Sequence, residues 1–339
     1  MALDSFIALV MLAALIAYAV LAGADFGAGV WDLLSIGPHR AAQRRAIAEA
    51  IGPVWEANHV WLIFFVVLLF TCFPVAYATI STALFWPLHL VLIGIVLRGS
   101  AFVFRAYGAP TAAAQAAWGH IFGAASAVSP MLLGMCLGAI STGGIRVMGG
   151  ADPGQSGSAW LAAFPAATGI LALLLCAYLA AVYLAWEARG ELQDDFRHRA
   201  LATWLAAGVA SIATLLLARA GAPRLWHELT SVPAVGLIAA GVVLAPASAY
   251  NLWRRRFGRA RMLGAAQVVV LLAGLAAAQW PYLVYPDLTV AASAAPRSTL
   301  SLTAATLPLG VAAVAPSLWW LFTVFKGRSP RPGAKQSAE

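Results

Sequence analysis

Stretches of about 20 apolar residues, separated by short polar breaks, recur along the whole of this chain. A bilayer crossing takes about 20 such residues. The pattern predicts nine membrane helices, near residues 5–34, 53–75, 79–105, 117–141, 160–186, 200–219, 231–253, 262–282 and 303–325. In hydrocarbon a span must satisfy its own backbone polar groups, so the expected fold class is an all-α integral membrane protein. Composition agrees: the 339 residues are 62% hydrophobic and 10% charged, with mean hydropathy +0.83, whereas a soluble domain carries roughly 25% charged residues. Met1–Leu21 has no Lys or Arg ahead of its apolar run and reads as a retained first span, not a cleaved signal peptide. Residues 1–325 read as one polytopic membrane domain and 326–339 as a disordered tail.

Nine spans place the termini on opposite sides, and the basic residues orient them. Sixteen of the 21 Lys and Arg residues fall in the loops and tail on the side away from the N-terminus, four on the N-terminal side, and Arg98 inside a span. By the positive-inside rule the N-terminus lies outside and the C-terminus in the cytoplasm. The net charge of +8 is therefore a topology signal. No basic patch is interleaved with aromatics, which argues against a nucleic-acid partner. Arg254–Arg261 reads as a basic hairpin on anionic headgroups, and Glu187–Arg199 as a solvated loop. The three cysteines, Cys72, Cys136 and Cys176, sit in apolar runs without a CxxC, which argues against a disulfide framework or a thiolate metal site.

The chemistry lies in the few ionisable residues that the spans contain. The second span opens with GPVWEANHVWLI, residues 52–63. Pro53 suits a first helical turn, Glu56 and His59 share one face at i, i+3, and an acid in the first turn is favoured by the helix dipole. The first span carries Asp25 within GADFGAG. It lies beside Ala19, Gly23 and Gly27, a small-residue stripe that lets two membrane helices approach closely. Asp25 either reaches water at the cytoplasmic edge or is buried at a helix contact. Arg98, near the inner end of the third span, either snorkels to the interface or serves a functional charge. His89, His120, Met131 and Met135 stand on apolar helices, where packing is the simplest role. If the first three helices are neighbours, as short loops favour, Asp25, Glu56, His59 and Arg98 meet at one depth. Carboxylates and an imidazole there are the parts of a proton path. Nothing in the chain has the form of a nucleophilic triad, a Walker loop or a metalloprotease motif.

ADFGAG (24–29), GPVWEANHVWL (52–62) and LRGSAFVFR (97–105) resemble the signature stretches of subunit II of the cytochrome bd-type quinol oxidases. The commoner second motif has Asp-Gly-Asn-Gln where this chain has Glu56-Ala57-Asn58-His59, and the third-helix motif often carries an acid where Val103 stands. These departures resemble the cyanide-insensitive branch. The resemblance implies two four-helix bundles (helices 1–4 and 5–8) plus a peripheral ninth helix, in a bacterial cytoplasmic (inner) membrane. It implies an obligate partner, subunit I, holding two b hemes and heme d, oxidising quinol and reducing oxygen to water. A small accessory subunit, membrane lipid and quinone are further expected partners. This chain would bear no catalytic heme and no metal. Asp25 and Glu56 would carry protons, and Trp55, Asn58, His59 and Trp61 would shape their entrance. Arg98 would direct positive charge towards a heme propionate or balance charge.

Three other readings stay open on the residues alone. One is a stand-alone proton-coupled transporter, for which Pro233, Pro246, Pro281 and Pro316 would be helix breaks. Another is a heme-bearing subunit with His89 or His120 as axial ligand. The last is a structural subunit whose acids only hold helices together.

Overall fold

The structure, a computed structural model, describes residues 2–37, 39–51, 55–108, 111–147 and 157–326. It is built almost wholly of helices: α1 (Leu3–Leu33), α2 (Arg40–Ile51), α3 (Trp55–Cys72), α4 (Pro74–Ala83), α5 (Phe85–Tyr107), α6 (Ala112–Thr142) and α7 (Ala163–Glu187) in the first half. The second half adds α8 (Glu191–Gly221), α9 (Pro223–Leu229), α10 (Val232–Trp253), α11 (Phe257–Gln279), α12 (Val290–Ser293) and α13 (Arg297–Lys326). A small antiparallel hairpin, β1 (Tyr282–Val284) with β2 (Leu288–Thr289), joins α11 to α12. Among the described residues seven helices are long and apolar enough to span a bilayer, or eight if the bent pair α3–α4 is one span. The ninth expected span corresponds to α13, 30 residues long, which is not among those eight. Of the expected tail at 326–339, Lys326 is the last residue of α13 and 327–339 lies outside the described residues.

The long helices run alternately between two ends of the molecule. One end carries the basic loops, and the other carries α4, α9, the hairpin and α12. α1 packs against α3, α6 and α7, while α7 also meets α6, α8 and α11, so these two helices form the axis of the fold. Their close approach depends on Gly27, where a methyl group would collide with the Cys176 carbonyl. At Gly23, one turn earlier, a methyl would rest 3.5 Å from Cys176 Sγ. The small-residue stripe of the first helix thus faces α7, as small residues do where membrane helices touch.

Two elements depart from the hydropathy pattern. The second apolar run does not continue to residue 75: α3 stops at Cys72 and α4 leaves it at 117°. Pro74 lacks an N–H and its ring excludes the carbonyl four residues back, so the helix breaks there and restarts with Pro74 in its first turn. The next membrane helix consequently begins at Phe85, not near residue 79. The first basic loop also holds a helix, α2. Its Ala-rich sequence, RAAQRRAIAEAI, favours helix and tucks Ile47 into the core formed by α1, α5, α6 and α7. Outward, the bundle presents Val60, Ile63, Val67, Trp86, Leu92 and Ile93, an apolar surface suited to lipid or a membrane partner.

Candidate functional site

Asp25, in the last third of α1, is 5% exposed. It faces α3, where Asn58, itself 4% exposed, donates from Nδ2 to Asp25 Oδ2 at 2.8 Å. The same amide nitrogen lies 3.5 Å from the Leu21 carbonyl one turn earlier on α1. Arg98 reaches in from α5 and is 1% exposed. Its Nη2 donates to the Asp25 carbonyl at 3.1 Å and its Nε to Ser126 Oγ on α6, also at 3.1 Å. Phe26 and Phe122 flank the guanidinium, each with its ring centroid 5.1 Å from Cζ. A buried charge is tolerated only when hydrogen-bonded and compensated. Here the compensation comes from four helices: α1, α3, α5 and α6.

His59 follows Asn58 on α3 and turns towards an aromatic box. Its ring centroid lies 5.9 Å from Tyr18 and 5.8 Å from Phe26, and Trp61 packs on the same cluster of Tyr18, Ala22 and Phe26. Beyond Tyr18 and Phe26 an apolar cavity of about 280 Å³ extends towards the end opposite the basic loops, walled by Leu15, Leu62, Leu133, Leu179 and Leu84 among others. The side chains of Trp55 and Glu56 lie outside the described residues. The fold therefore unites Asp25, Asn58 and Arg98 directly and places His59 and Trp61 beside them.

His89 and His120 stand apart from this cluster. Both are exposed on the outside of the chain. His89 Nδ1 lies 2.7 Å from the Phe85 carbonyl, and its ring overlies Phe85. Among the described residues no group of three or more His, Cys, Asp or Glu is arranged to hold a metal ion.

A second polar rung, absent from the sequence reading, lies nearer the basic end. Asp32 on α1 is 1% exposed. Both its carboxylate oxygens accept from Arg105 of α5, at 3.0 and 3.3 Å. Arg44 of α2 adds its Nε at 3.8 Å. The signal was present in the numbering. Asp25 and Asp32 are seven residues apart, as are Arg98 and Arg105, and seven residues are two helical turns, which return to the same face. Ser126 had no sequence signal, since a lone serine in an apolar run is ordinary.

The family model for cytochrome bd terminal oxidase subunit II matches residues 3–325. The chain belongs to that family. Among its subunit II relatives, a cytochrome bd ubiquinol oxidase subunit 2 of Bacillus subtilis (strain 168) is 40% identical over 85 residues, a stretch covering 25% of each chain. The cytochrome bd-I ubiquinol oxidase subunit 2 of Escherichia coli (strain K12) is 31% identical over 130 residues, 38% of this chain and 33% of that one. The matched stretches thus span only a quarter to a third of these relatives' length. In three dimensions the chain resembles a chain of the bd oxidase from Geobacillus thermodenitrificans with a TM-score of 0.80. The likeness covers 97% of this chain and all of that one at 22% identity, and establishes a shared fold. As a subunit II member the chain is a multi-pass membrane protein.

Proposed function

We propose that this chain is the heme-free subunit II of a quinol:oxygen oxidoreductase, and that it conducts protons from the cytoplasmic side towards the oxygen-reducing centre of subunit I. The observation that carries this reading is Asp25, a carboxylate inside the helix bundle, held by Asn58 and backed by Arg98. A membrane protein keeps an ionisable group at such depth for a function. The orientation follows from the basic residues: the basic end faces the cytoplasm and the N-terminus the outside. α1, α3, α5 and α6 form the first bundle, α7, α8, α10 and α11 the second, and α13 is peripheral.

In this reading the hemes, two b and one d, supply electron transfer and oxygen reduction from the partner subunit, which oxidises quinol. This chain contributes proton delivery. Asp25 and Glu56 take up and release protons, with Asn58 fixing the Asp25 carboxylate and His59, Trp55 and Trp61 shaping the approach. Arg98, enclosed among Phe26, Phe122, Ser126 and the Asp25 carbonyl, serves charge balance inside this chain.

The test is to purify the chain from its native membrane with its partners and to record a reduced-minus-oxidised spectrum. A heme d band with a larger heme-bearing subunit, and quinol oxidase turnover that falls in Asp25→Asn at normal heme content, supports the reading. A colourless single chain that transports protons or solutes overturns it.

A further inference from the structure

Between the Asp32 rung and the basic end lies a second cavity, of about 210 Å³, where α1, α2, α5 and α6 meet. Asp32, Arg105, Gln115, Ile47, Ala48 and Phe122 are among its walls. Unlike the apolar cavity beyond Tyr18, it brings a carboxylate, a guanidinium and an amide together, and Gln115 is held there by donating to the Arg105 carbonyl at 3.1 Å. A buried water needs about 10–15 Å³ of such space and two to four polar partners; the volume holds several, and Asp32, Arg105 and Gln115 supply the polar groups of a wall that is otherwise mostly apolar.

The inner wall is the feature that gives the cavity a direction. Phe122 is 2% exposed and has two arginines near its ring: Arg105 Cζ lies 5.6 Å from the centroid and Arg98 Cζ 5.1 Å. The Phe122 ring therefore stands between this cavity and the Arg98–Ser126–Asp25 cluster. Asp32 is bound by Arg105 through both oxygens. Its part is to keep the mouth polar and to fix the end of α5 against α1. Arg44 adds a further positive charge at the rim.

We propose that this cavity is the hydrated inlet of the path, through which protons from the basic end reach Asp25, with Phe122 as the partition between inlet and cluster. The inference rests on the proton-path reading above and assigns Asp32, Arg105 and Gln115 as positioning residues of the inlet.

The test uses the assembled complex carrying Ala48→Cys or Ala106→Cys, two exposed positions on the cavity wall. Glu49→Cys serves as control; it is exposed on the same helix as Ala48 but is not part of that wall. Each variant is labelled with a charged, water-soluble methanethiosulfonate and the extent of labelling is read by mass. Labelling at 48 or 106 is expected to lower kcat at least fivefold with quinol KM unchanged, and labelling at 49 to leave kcat as it was. Gln115→Leu, which keeps the side chain's bulk but not its amide, is expected to lower kcat in the same way. If neither the labels nor Gln115→Leu lower kcat while Asp25→Asn does, the inlet is elsewhere and the proton path stands. If Asp25→Asn is also without effect, the proton-path reading falls and this inference with it. Failure of the reagent to reach both cavity cysteines overturns the inlet as well, since it shows the cavity closed to water.

Discussion

Asn58 and Asp25 join α3 to α1 through one hydrogen bond of 2.8 Å between two side chains that are almost wholly enclosed. A hydrogen bond to a charged group contributes about 1.5–3 kcal/mol, and removing one partner leaves the other unsatisfied. Asn58→Leu is accordingly expected to destabilise the subunit by about that amount and to lower turnover of the complex. Thermal unfolding in detergent, followed beside quinol oxidation at fixed heme content, checks both. A variant as stable and as active as the parent means that the bond does not hold Asp25 in its working position.

Glu56 stands two residues before Asn58 and three before His59, at the start of the same helix. Glu56→Gln keeps the size and removes the exchangeable proton, so turnover is expected to fall severalfold while the heme spectrum stays normal. Unchanged turnover would take Glu56 out of the path.

The α1–α7 contact sets a steric test. A side chain at Gly27 meets backbone, the Cys176 carbonyl, which has nowhere to go. Overpacking of this kind costs about 1–3 kcal/mol or more, and Gly27→Leu is expected to abolish recovery of intact complex. Gly23→Ala, whose methyl finds an ordinary 3.5 Å contact, is expected to assemble normally. Equal yields from the two variants would contradict the packing described here.

At the basic end, Asp194 in the first turn of α8 meets Arg255 Nη2 at 3.0 Å and Arg197 Nη1 at 3.3 Å. Desolvation pushes its carboxyl up, but the hydrogen bonds and charges of Arg255 and then Arg197 outweigh this and hold it below the ordinary carboxylate range. A carboxyl lowered by folding contributes stability that is complete above its unfolded value and lost as pH falls through its folded one. Asp194→Asn is therefore expected to flatten the acid limb of a stability-versus-pH curve and to change nothing near neutrality beyond a small, salt-sensitive loss. An acid limb of unaltered slope would show that the cluster does not couple to folding.

His89 and His120 are exposed on α5 and α6, the helices that also carry the buried Arg98 and Ser126. Replacing either with alanine is expected to leave the heme content of the purified complex unchanged. Loss of a Soret or heme d band in either variant would revive the reading in which this chain ligates heme.

The hydropathy pattern located up to eight of the nine expected spans among the described residues, because burial in hydrocarbon imposes one requirement along a whole helix, and that requirement is written residue by residue. It placed Asp25, Glu56, His59 and Arg98 at one depth on consecutive helices; the structure brings Asp25, His59 and Arg98 together, adds Asn58 as the direct partner of Asp25, and does not describe the Glu56 side chain. It did not reveal the break at Pro74, since Phe73, Val75 and Tyr77 keep the run apolar on both sides and only the local backbone chemistry of proline interrupts it. Nor did it reveal the pairing of Asp32 with Arg105. Asp32 follows Trp31 and precedes two leucines, and Arg105 reads as the first residue of a basic loop. Which helix face meets which is a property of the packed bundle, and only that packing turns two residues at span ends into a buried ion pair.

The apolar cavity beyond Tyr18 and Phe26 has an electrical consequence. A space walled by leucines offers no relay for a proton, so on the proposed path it insulates Asp25 from the far side and leaves the basic end as its one approach. Most of the transmembrane voltage then drops across this oily stretch, where each elementary charge displaced through 100 mV is worth about 2.3 kcal/mol. On the proposed path, protons entering from the basic end reach Asp25 before that drop, and electrical work is done only on charge moved beyond it.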